Sequence, residues 1–80
     1  MKSAHELLKD WREGRKLTQA QASRLADVSQ ATWCEWEAGG KIPRIDLAVR
    51  LEELTDSTVT VRDWAAAMGD RKSPEKGDAA

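Results

Sequence analysis

Tyrosine and phenylalanine are absent from these 80 residues, and cysteine and histidine occur once each. A single thiol, Cys34, has no internal disulfide partner, and a single imidazole, His5, lacks companions at metal-site spacing. One histidine, one cysteine and no glycine-rich phosphate loop leave an enzyme little to work with. The sequence therefore predicts a non-enzymatic protein with no metal and no other cofactor. Long apolar runs are missing too. No stretch approaches the roughly 20 residues a membrane-spanning helix needs, and the opening MKSAHELLKD has no signal-peptide core, so the expected location is the cytoplasm. Basic excess is also lacking, with a net charge of −1.

What is present is enough apolar material for one core, 40% of residues, in a chain long enough for one domain. The charge is unevenly spread. Residues 9–50 hold eight basic and six acidic groups, whereas residues 51–80 hold four basic and seven acidic. A mildly basic body with an acidic C-terminal part permits a polyanionic partner despite the total.

Helical periodicity dominates. Ala4, Leu7, Leu8 and Trp11 fall at i, i+3, i+4 and i+7, and Gly14 should end that first helix. Thr18 and Gln21 form a capping-box pattern for a second helix, with Ala22, Leu25 and Ala26 as its buried side. Ser29 is a suitable N-cap for a third helix running to about Ala38, where Gly39 and Gly40 stop it. After Pro43, Ile45, Leu47, Ala48, Val49, Leu51 and Leu54 cover more than half of a fourth helix, as expected of an element touched on several sides. Thr60 and Asp63 suggest a further cap, followed by a stripe of Val61, Trp64, Ala65 and Met68. From Gly69 onward almost nothing is apolar, so the predicted organisation is a domain over residues 1–68 and a disordered polar tail over 69–80.

The string LTQAQASRLADVSQATWCEWEAGGKIPR, residues 17–44, resembles the helix-turn-helix of the Xre/Cro family of phage and bacterial transcriptional regulators. Leu17-Thr18-Gln19, Val28-Ser29, Thr32, Trp36-Glu37, Gly39 and Pro43 stand at that family's spacing, and LKDWREGRK at residues 8–16 matches its first helix. Asp27 replaces the usual turn glycine, and Ala22, Ser23 and Ala26 depart from the usual core residues of the second helix. The resemblance implies an all-α, compact five-helix, lambda-repressor-like DNA-binding domain. It also implies a homodimer that binds double-stranded DNA at a pseudo-palindromic operator, acting as a repressor.

An independent helical projection puts Gln30, Ala31, Cys34, Glu35 and Ala38 on one side of the third helix and Ser29, Trp33, Trp36 and Glu37 on the other. Carried over by position, Gln30 would read adenine, Ala31 would meet a thymine methyl, Glu35 would accept from cytosine, and Cys34 would be a peripheral base contact. Gln19, Thr32, Lys41 and Arg44 match the phosphate-facing places, and Arg12 with Glu37 matches an ion pair joining the first and third helices. Trp11, Trp33 and Trp36 read as core. Trp64, with Val61 and Met68, reads as a partly exposed dimer surface, and His5 as a surface residue. A competing function is a protein-interaction module of the same fold, antitoxin-like, favoured by the acidic total and Glu35.

Overall fold

A computed structural model describes the backbone of residues 2–71 and side chains through Met68. Among the described residues there are five α-helices and no strand: α1 (Ala4–Gly14), α2 (Gln19–Leu25), α3 (Gln30–Ala38), α4 (Ile45–Leu54) and α5 (Val61–Arg71). No helix among them is long and apolar enough to cross a membrane.

Four of the five starts are written in local chemistry, and α4 is the exception, its N-cap Arg44 making no side-chain cap bond. The Ser3 and Thr18 side chains accept from the backbone N–H groups of Glu6 and Gln21, whose side chains return the bond in reciprocal capping boxes. The Ser3–Glu6 box is visible as the same S/T-x-x-E/Q spacing that marks Thr18 and Gln21. Ser29 Oγ accepts from Thr32 N–H at 3.1 Å, and Thr60 forms the reciprocal pair with Asp63. Left-handed backbone recurs in the loops, at Lys16, Asp27, Gly39, Asp56 and Ser57, and two of these residues flank α3. Gly39 closes α3 at φ +85°, and Asp27 occupies the α2–α3 turn at φ +61°. Asp tolerates this region better than most residues bearing a Cβ, which is how the turn forms without glycine.

α3 lies against α2 on one side and α1 on the other, while α5 packs on α1 and α4. Trp33 and Trp36 are fully buried from α3, and Trp33 stands 5.9 Å from Trp36 and 6.4 Å from Trp11, ring centre to ring centre. A buried tryptophan removes some 150–250 Å² from water, roughly 4–6 kcal/mol each at 25 cal/mol per Å². These rings supply the volume that Ala22, Ser23 and Ala26 of α2 do not. Ser23 is buried without cost because its hydroxyl donates to the Ala20 carbonyl at 2.9 Å.

Several expectations are corrected. Leu25 is exposed, because α2 turns its Ala22 and Ala26 edge to the core. Ile45 and Val49 of α4 are exposed as well; the core takes Ala48 and Leu51 from that helix. Trp64 is buried, only 2% exposed, because its ring slots between α1 and α4 and meets His5 edge-on at 5.3 Å. His5 is correspondingly half-buried: its Nδ1 donates to the Trp36 carbonyl at 2.6 Å, joining α1 to the end of α3. Finally, α5 continues through residues 69–71, past the expected domain boundary, while residues 72–80 of the expected tail lie outside the described residues.

Candidate nucleic-acid interface

The candidate interface lies on α3, whose orientation is set from beneath. Glu37 is the hub. Its carboxylate accepts from Arg12 Nε at 2.6 Å and Arg12 Nη2 at 3.2 Å, from Gln19 Nε2 at 3.1 Å, and from the indole N–H of Trp33 one turn back on its own helix. Arg12 also donates to the Leu17 carbonyl at 2.8 Å, so one guanidinium bridges α1, the loop before α2, and α3. Burial pushes the Glu37 carboxyl up, but the hydrogen bonds from Arg12, Trp33 and Gln19 outweigh it and hold the group below the usual carboxylate range. The bond to Glu37 likewise raises the Arg12 guanidinium above its ordinary value.

With Trp33, Trp36 and Glu37 facing inward, the opposite side of α3 is presented outward. Gln30, Ala31 and Glu35 are exposed and Cys34 is half-buried. Gln30 and Ala31 occupy the first turn directly after the Ser29 cap. The Thr32 hydroxyl accepts from Ser29 Oγ at 2.9 Å, which leaves its own hydrogen for an outside acceptor.

The residues expected to face phosphates are not all free. Gln19 turns its amide across α3: beyond the bond to Glu37, its Oε1 accepts from Cys34 Sγ at 3.0 Å. Arg44, at the N-cap position of α4, is exposed with Nε 3.3 Å from Asp46 Oδ1. Lys41 Nζ lies 3.1 Å from Glu35 Oε1. Two residues assigned separate roles from the sequence, Glu35 and Lys41, are therefore joined. The Trp33–Glu37 bond was signalled by i, i+4 spacing; the Gln19–Cys34–Glu37 links join positions 15 and 18 apart and carry no local signal. No group of His, Cys, Asp and Glu among the described residues could hold a metal ion.

Two short helices meeting through a tight turn, with the second anchored by aromatic rings and exposing a small polar outer face, define a helix-turn-helix protein. The chain belongs to the helix-turn-helix domain family, which matches it over residues 6–65, from within α1 into α5. No curated protein and no solved structure matches it. The family makes this a DNA-binding regulatory domain.

Proposed function

We propose that this chain is a sequence-specific transcriptional regulator of the Xre/Cro type, a homodimeric repressor that reads a pseudo-palindromic operator with α3. The observation that carries the reading is the exposed first turn of α3, Gln30 and Ala31, backed by buried Trp33 and Trp36. The major groove admits one α-helix, and a rigidly held helix keeps its side chains in register with base edges. Gln30 matches the N6 donor and N7 acceptor of adenine, and Ala31 matches a thymine methyl. The Thr32 hydroxyl and the Arg44 guanidinium serve the phosphates, while Glu35 and Lys41 enter the interface as an ion pair. Two such units related by a two-fold axis would dock about one helical turn apart, ~34 Å, covering both half-sites and occluding a promoter.

Fluorescence anisotropy with cognate and scrambled duplexes tests this reading. Gln30→Ala removes no core contact, so it weakens cognate binding by roughly 1–3 kcal/mol and relaxes preference at one base pair per half-site, with scrambled binding nearly unchanged. Equal loss on both duplexes means α3 does not read the sequence, and the absence of DNA binding altogether favours the interaction-module alternative.

A further inference from the structure

Resting on the DNA-binding reading above, we propose that Lys41 is a base-reading residue selective for guanine, and that Glu35 is the positioning residue holding its ammonium over the recognition face. Lys41 follows the end of α3, where a flexible stem in a loop would ordinarily sample many places. Two features narrow that range. Left-handed Gly39 reverses the chain and lets Gly40 N–H donate to the Glu35 carbonyl at 3.0 Å, folding the loop back over the last turn of α3. The Lys41 ammonium then meets the Glu35 carboxylate at 3.1 Å. Glu35 lies four positions after Ala31, on the same outward face.

Electrostatics decides how the pair enters DNA. A bare carboxylate approaching a polyanion is repelled, and Glu35 is half exposed, with no other cation recorded against it among the described residues. Sending Lys41 to a phosphate would strip Glu35 of its counter-ion at the surface where a negative charge is least tolerated. Kept together, the pair presents the N–H donors of an ammonium. One of three is spent on Glu35, and the two that remain match the N7 and O6 acceptors of guanine. Adenine and thymine each offer one major-groove acceptor in place of two, and cytosine offers a donor.

The experiment begins by selecting preferred sites from a random duplex pool with the wild-type chain. Binding of wild type, Lys41→Ala, Lys41→Arg, Glu35→Gln and Gln30→Ala is then measured by anisotropy on the selected duplex and on duplexes changed at one base pair at a time. The expected result is one G·C pair per half-site whose replacement costs wild type roughly tenfold. That discrimination is lost in Lys41→Ala, retained in Lys41→Arg, and weakened at the same pair in Glu35→Gln, with all thermal melts unchanged. A uniform loss in Lys41→Ala with every preference intact makes Lys41 a phosphate contact and overturns the proposal. Relaxation of different pairs by Lys41→Ala and Glu35→Gln makes them independent readers and overturns it as well. Gln30→Ala reports on the underlying reading. If it relaxes its own pair while Lys41→Ala acts uniformly, only the present proposal falls; if wild type selects no sequence, both fall.

Discussion

Glu37 accepts hydrogen bonds from side chains of α1, α2 and α3, and its side chain is only 5% exposed. Removing one partner of so enclosed a pair leaves a charge without compensation. Arg12→Ala and Glu37→Ala should each cost ~3 kcal/mol at neutral pH, lowering Tm by about 12–24 °C in a domain of this size. Wild-type melting in both variants would remove the ion pair from the account of the fold. Because the folded Glu37 carboxyl is held below its ordinary range, its stabilisation is fully present above the unfolded value of about 4.3 and is lost as pH falls through the lower folded value. Melting curves of wild type and Glu37→Gln should therefore differ at pH 7 and converge as the pH falls through that lowered value. Arg12 and Glu37 were legible from their positions in the helix-turn-helix pattern. The third donor, Gln19, was not, because the same amide that suits a phosphate also suits a buried carboxylate. His5 was misplaced for a similar reason: its partner is 31 positions away, and nothing near it in the chain announces a contact.

Among the elements, the two left-handed turns around α3 predict opposite signs. Asp27 carries a Cβ at φ +61° and its almost fully exposed carboxylate makes only a long 3.7 Å contact with Arg50, so Asp27→Gly relieves steric strain at little electrostatic cost and should leave stability unchanged or raise it by up to ~1 kcal/mol. Gly39→Ala adds a Cβ at φ +85° that would stand 3.7 Å from the His5 ring, an ordinary contact. Its cost of about 1–2 kcal/mol is therefore backbone strain alone. Chemical denaturation midpoints check both, and a stabilised Gly39→Ala would refute the strain argument. Helix starts and stops were readable because caps are local: Thr18, Ser29, Thr60 and Gly39 satisfy backbone groups within a turn of themselves. Which apolar residues of a helix find a neighbour was not readable. The α4 pattern identified a helix rich in apolar positions but could not say that Ile45 would stay 66% exposed at the rim of a groove shared with α5.

At the scale of the molecule, the burial of Trp64 changes how dimerisation is to be tested. Trp64→Ser would hollow the core and cost ~3–5 kcal/mol, so loss of a dimer in that variant says nothing about an interface. Met68 is 59% exposed and lines a shallow apolar groove with Ile45 and Val61. Met68→Ser should weaken self-association while melting within ~0.5 kcal/mol of wild type. Sedimentation at matched concentrations decides, and a wild-type chain that stays monomeric on a palindromic duplex ends the homodimer reading. Affinity for duplex DNA should also fall steeply with salt, since each phosphate contact contributes a slope of about −0.9; a flat titration would contradict DNA binding through cations. The four tryptophans, finally, are the whole aromatic complement, and all four are buried. Near-ultraviolet absorption and intrinsic emission thus arise from the packed interior, with Trp33 and Trp36 on the hidden side of the helix that would meet DNA. The chain carries its own optical gauge of folding: unfolding shifts the emission red as these rings meet water, with no label added.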